Sequence, residues 1–145
     1  MKILLSLMLF IGMAFSSQNI YIKPGVDEGS VDGEWFKQNI KMLLEKTHVL
    51  DIRKPSQREK GYLEGTTYLS ISELKIDKFI EQMPKKGIVL LTCQSGTVSL
   101  DTYISLRMKK YPKLANVYYL DGYVLCNKQN NCEIHPNEPI EEGLD

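Results

Sequence analysis

From Val31 onward the chain switches repeatedly between two hydrophobic periods. Trp35, Phe36, Ile40, Leu43 and Leu44 share one helical stripe, with Lys37, Gln38, Lys41 and Glu45 on the other face, so a core-facing helix is predicted. His48 to Ile52 is a short apolar run that stops in Asp51 and Arg53 just before Pro55, the signature of a strand whose polar end turns into a loop. Residues 55–65 are polar and punctuated by glycine. Thr66 to Ile71, rich in β-branched and aromatic residues, predicts a second short strand. Ser72 begins a capped helix carrying Leu74, Phe79, Ile80 and Met83 that Pro84 stops.

Ile88, Val89, Leu90 and Leu91 form an unbroken apolar run, as a strand covered on both faces requires. That strand should be central. Cys93 lies just beyond it, and from Val98 to Lys110 the residues Leu100, Tyr103, Ile104, Leu106 and Met108 return to roughly helical spacing. Val117 to Leu120 is a further strand, and Asp121 and Gly122 turn the chain. From Glu133 the chain is acidic and contains proline, which predicts a loosely held tail. Strands alternating with helices imply an α/β fold with a central parallel sheet covered by helices on both faces, and ligands then bind outside the carboxyl ends of the strands. Asp51 and Cys93 both fall there.

The first residues follow a different rule. Lys2 precedes an apolar run from Ile3 to Phe15 that ends in Ser16 and Ser17, and Ala14, Phe15, Ser16 make a small-x-small site, so residues 1–16 are expected to be a secretory signal peptide. The run falls short of the about 20 apolar residues of a spanning helix. The mature protein is therefore expected to be periplasmic or secreted, with no membrane attachment after cleavage. Residues 17–30 are read as a lead-in, 31–130 as the domain and 131–145 as the acidic tail.

A chain of 145 residues has room for one domain with a buried core. Its 18 basic and 18 acidic residues cancel, which gives no reason to expect a nucleic-acid partner. Three cysteines matter more in an oxidising compartment. Cys126 and Cys132 are a disulfide candidate closing a loop through Asn127, Lys128, Gln129, Asn130 and Asn131, the alternative being two independent thiols. Cys93 is left odd, which points to a reactive thiol or an intermolecular bridge.

In the segment Cys93, Gln94, Ser95, Gly96, Thr97, Val98, Ser99 a thiol precedes small and polar residues where a helix begins. Backbone N–H groups of such a loop, with the positive end of the helix dipole, can cradle an anion and favour a thiolate. A thiolate so placed can attack a sulfane sulfur, hold it as a persulfide and pass it on.

With those residues in view, Val49 to Arg53 (VLDIR) followed by Gly61 to Gly65 (GYLEG) resembles the "D-x-R... G-H-I-x-G-A" stretch of the single-domain rhodanese family. Cys93 to Gly96 resembles its C-x-x-G active loop, and Tyr118 to Tyr123 (YYLDGY) its closing "v-x-x-L-x-G-G" turn. The pieces keep the family order over residues 31–128, which is far more specific than a lone C-x-x-G. The resemblance implies a rhodanese-like three-layer domain and a sulfurtransferase without metal or organic cofactor. It makes Cys93 the sulfur-carrying nucleophile and Gln94, Ser95, Gly96, Thr97, Val98 and Ser99 the substrate-binding loop. The implied partners are a small sulfane-sulfur donor and a cyanide or thiol acceptor. Asp51 and Arg53 match the family's acidic and basic pair, and a strand-end ion pair that fixes the loops is preferred to a direct chemical role.

Departures from the pattern sharpen the expectation. Val98 stands where many members carry arginine, Tyr62 replaces a histidine and Tyr123 the second glycine. Without a fixed cation in the loop, thiosulfate is expected to be a slow donor. The same gap argues against a cysteine phosphatase or arsenate reductase, whose oxyanion chemistry relies on arginine. A binding module docking a periplasmic protein partner, with Cys93 as core filler, is the main alternative; inactive relatives often lose the cysteine, whereas this chain keeps it. No C-x-x-C supports a redox pair, and the scattered His48 and His135 read as structural or solvated rather than as metal ligands. Tyr103, Tyr111, Tyr118 and Tyr119 read as core and rim.

Overall fold

In the computed structural model, which describes residues 19–137, alternate residues of the central strands face different helical layers. Five strands form one parallel sheet: β1 (Ser30–Val31), β2 (His48–Asp51), β3 (Thr67–Tyr68), β4 (Val89–Thr92) and β5 (Val117–Leu120), in the order β1-β5-β4-β2-β3. Leu50, Leu91 and Cys93 pack on one face with Phe79, Met83 and Leu106. Val49, Leu90 and Leu120 pack on the other with Phe36 and Leu43. This two-sided burial is why β4 has no polar alternation, and it is the three-layer arrangement the sequence predicts.

Helices α1 (Gly33–Gln38) and α2 (Ile40–Lys46) cover the second face. The sequence stripe from Trp35 to Leu44 reads as one helix, but Asn39 leaves helical geometry at ψ 12° and its side-chain amide donates to the Trp35 carbonyl at 2.8 Å. A polar side chain competing for the backbone divides the helix while preserving its apolar stripe. A short helix α3 (Pro55–Arg58) follows β2, with Pro55 at its first position, where a missing N–H costs nothing. Next come α4 (Ile71–Gln82) and α5 (Thr97–Met108) on the first face. Helix α4 starts one residue before the expected Ser72 and is broken at Lys75, whose φ is 61°. Tyr103 and Tyr119 lie in the first core with rings 5.3 Å apart, and burial raises both phenol pKa values above the ordinary one.

Two boundaries differ from the sequence reading. The expected tail at 131–145 takes in the whole of strand β7 (Cys132–Pro136), which pairs antiparallel with β6 (Gly122–Cys126). Ile134 is 8% exposed and packs against the second core, while its neighbours Glu133 and His135 remain outside, so a single inward residue was too weak a periodic signal. At the other end, the lead-in 17–30 already contributes Ile20 and Ile22 to the core and Ser30 to β1. The expected signal peptide at 1–16 lies outside the described residues, as does the acidic end beyond 137.

Candidate active site

Strand β4 ends at Thr92, whose hydroxyl donates to the Leu50 carbonyl at 2.8 Å, and Cys93 follows at the carboxyl edge of the sheet. The chain then doubles back through Gly96, whose φ of 80° favours a residue without a side chain. A Cβ there would come within 2.9 Å of the Gly122 carbonyl oxygen. With the turn made, the backbone N–H groups of Gly96 and Ser99 donate to Cys93 Sγ at 3.1 and 3.4 Å. These are donors that a negative sulfur needs, and they lie at the start of the twelve-residue helix α5, where the helix dipole is positive. The base of the loop is clamped by Val124 of β6, whose N–H donates to the Cys93 carbonyl at 3.2 Å.

Beside the sulfur lies a charged cluster that closes on itself. Asp51 accepts Arg53 Nε and Nη2, each at 2.9 Å, and Arg58 Nη1 at 2.8 Å. Arg53 also donates to the carbonyls of Gly61 at 2.8 Å and Gln57 at 3.4 Å, so its guanidinium, 5% exposed, is spent on the protein itself. Arg58 is held between the rings of Tyr62 and Tyr68, 4.1 and 4.7 Å from their centroids. The arrangement ties α3 to the end of β2 and fixes the floor beside Cys93. It is the geometry of a structural ion pair.

Of the six predicted loop residues, Gly96 and Ser99 reach Sγ through their N–H groups, and Gln94, Ser95 and Val98 line the cleft in front of it. Thr97 is exposed and does not line that cleft. The Ser99 hydroxyl is buried without a hydrogen-bond partner among the described residues. The cleft has a volume of about 220 Å³, and its remaining walls come from Ile52 to Lys54, Gln57, Ile71 and Ser72. Cys93 itself is 2% exposed, on the cleft floor.

Sequence reasoning named Arg53 on the second wall but missed Lys54, Gln57, Ile71 and Ser72 there, and the role of Arg58. The available signal was weak: a cation at Lys54, three residues past the carboxyl end of β2, and Arg58 one helical turn beyond Lys54. A larger cavity of about 520 Å³ lies on the other side of Arg58, walled by Tyr62, Tyr68 and Lys128 and without Cys93. The loop between Cys126 and Cys132, which are disulfide-bonded in the structure, borders it, with Asn130 accepting the Tyr62 N–H at 3.1 Å. His48 bonds the Lys86 carbonyl and His135 pairs with Glu133, while stacking on Tyr123.

Residues 32–124 match the family model described as "Rhodanese-like domain". The chain belongs to this family. Among solved structures, the Alr3790 protein from Anabaena sp. is similar at 17% identity and a TM-score of 0.51, over 73% of this chain and 82% of that one. The reduced CoADR-RHD of Bacillus anthracis is similar at 24% identity and a TM-score of 0.48, over 58% of this chain. That similarity spans only 14% of the Bacillus chain. A rhodanese-like domain protein of Staphylococcus aureus aligns at 15% identity and a TM-score of 0.41, over 58% of this chain and 78% of that one. At these identities the likeness to Alr3790 speaks for the fold of a rhodanese-like domain. No curated protein matches the chain.

Proposed function

We propose that this rhodanese-like protein is an exported sulfurtransferase that carries sulfane sulfur as a persulfide on Cys93. The observation that carries the reading is the pair of backbone N–H groups, from Gly96 and Ser99, aimed at a cysteine sulfur on the floor of a cleft. The Cys93 thiolate attacks the outer sulfur of a sulfane donor. A new S–S bond forms, the donor's S–S bond breaks with its electron pair leaving on the departing group, and Cys93–S–S⁻ remains. Cyanide then removes the terminal sulfur as thiocyanate, or a thiol takes it as a persulfide, and the thiolate returns. The amide donors serve both anions without a proton having to move.

Export to the periplasm or beyond rests on Lys2, the apolar run from Ile3 to Phe15 and the small residues that end it. The small donor, the thiol or cyanide acceptor and any periplasmic protein partner are inferred from the same chemistry. One observation favours a second reading, a binding module of the same fold: Cys93 is only 2% exposed, as a core residue would be.

The two readings separate in a discharge assay. Protein treated with a sulfane donor, freed of excess donor and mixed with cyanide should release about one thiocyanate per chain, and Cys93→Ser none. Equal release from the variant, or none from the folded wild type, gives the binding module the lead.

A further inference from the structure

The cavity of about 520 Å³ beyond Arg58 shares no lining residue with the cleft of Cys93 and has no part in the sulfur transfer proposed above. Its volume is that of a small-molecule site. The cation set deepest in its wall is Arg58, whose side chain is 21% exposed. Within the charged network Arg53 and Asp51 meet through a fork: Nε and Nη2, on one edge of the guanidinium, donate to the two carboxylate oxygens at 2.9 Å each. Arg58 uses only Nη1 on the same aspartate. Its own Nε and Nη2 have no hydrogen-bond partner among the described residues, and neither is sealed from solvent. The rings of Tyr62 and Tyr68 lie against this guanidinium, so its fork is held in place. Tyr62 is one of the positions at which the chain departs from the family pattern.

The network is also unbalanced in charge, since two guanidinium groups share the single carboxylate of Asp51. The other charged groups on the cavity wall, Glu59 and Lys128, are opposite in sign and exposed, and neither has an ion-pair partner among the described residues. One positive charge is therefore left over, beside the apolar surfaces of Pro55, Tyr62 and Tyr68. A fixed guanidinium edge with two free N–H groups matches the planar, two-oxygen geometry of a carboxylate better than it matches a point charge. We propose that this cavity is a binding site for organic monocarboxylates. The carboxylate docks on Nε and Nη2 of Arg58, as Asp51 docks on Arg53, and an apolar body lies along Pro55 and the two tyrosines. A second negative charge on the ligand would find no unmatched cation and would meet Glu59 on the same wall.

The test is a titration of the ¹⁵N-labelled mature protein with benzoate, followed through its amide NMR signals, with benzamide as the uncharged isostere. Benzoate should bind about tenfold more tightly than benzamide or better, the scale of a charge-assisted contact. The amides of Gly61, Tyr62 and Asn130 should shift, while those of Gly96 and Ser99 beside Cys93 should not. Arg58→Lys keeps the charge and loses the fork, and should weaken benzoate by about tenfold while leaving benzamide unchanged. Equal affinity for the two probes would overturn the proposal, as would shifts centred on the Cys93 loop or full benzoate affinity in Arg58→Lys. The absence of any shift at about 10 mM benzoate would overturn it as well. The probe comparison and the map of shifts need wild type alone, so they decide the matter even if Arg58→Lys does not fold.

Discussion

The two walls beside Cys93 use polar groups in opposite ways. The wall built by the active loop contains no charged side chain and offers Sγ two backbone N–H groups. The other wall holds two arginines and an aspartate, yet their bonds are made among themselves and to neighbouring carbonyls. Charge near the Cys93 sulfur is therefore no measure of charge available to it. On the proposed sulfur-carrier reading, the uncharged wall is the one that serves the chemistry, and the charged wall holds the loops in place.

That contrast predicts that the two walls fail differently. Replacing Asp51 with alanine leaves the guanidinium groups of Arg53 and Arg58 without their shared acceptor, Arg53 in a fully buried setting. The expected loss is about 3 to 5 kcal/mol in urea unfolding, the largest of the set. A loss below about 1 kcal/mol would show the network to be dispensable for folding.

The disulfide loop acts on the same wall from outside. Gly61, whose carbonyl accepts from Arg53, sits where a Cβ would run into the Asn127 carbonyl, so the loop and the network share one tight contact. Changing both Cys126 and Cys132 to serine should cost about 2 kcal/mol, the chain-entropy value for so short a loop, while leaving a sulfur-loaded Cys93 dischargeable by cyanide. Loss of discharge in a variant that remains folded would place the disulfide in the chemistry.

Gly96→Ala touches the uncharged wall and should show the reverse balance. Its positive φ and the close Gly122 carbonyl predict a stability loss of only about 1 to 2 kcal/mol. Sulfur loading should nevertheless slow by about tenfold or more, because the N–H groups aimed at Sγ move with the loop. Unchanged loading rates in this variant would mean that the amide donors do not govern the reaction.

How much of this was readable beforehand depends on range along the chain. The central strand, the position of Cys93 at its end and the helix behind it follow from local patterns, because β4 is apolar from Val89 to Leu91 and the residues beyond Cys93 change period at once. Asp51 and Arg53 were readable as a strand-end pair for the same reason. Arg58 was not, since its ties to Asp51, Tyr62 and Tyr68 depend on how residues 55–65 fold over the sheet. Strand β7 escaped because its pairing with β6 is specified by one inward isoleucine and by a cross-link that spacing alone leaves open. The cleft in front of Cys93 is made by segments from three places in the chain, and no local pattern brings those together.

The central claim is that Cys93 is a sulfur carrier, and intact mass spectrometry of the mature protein after treatment with a sulfane donor tests it most directly. The account predicts one added sulfur on wild type, removed by cyanide and missing from Cys93→Ser. A folded wild type that gains no sulfur from any sulfane donor, or a Cys93→Ser protein that gains it equally, would contradict the claim.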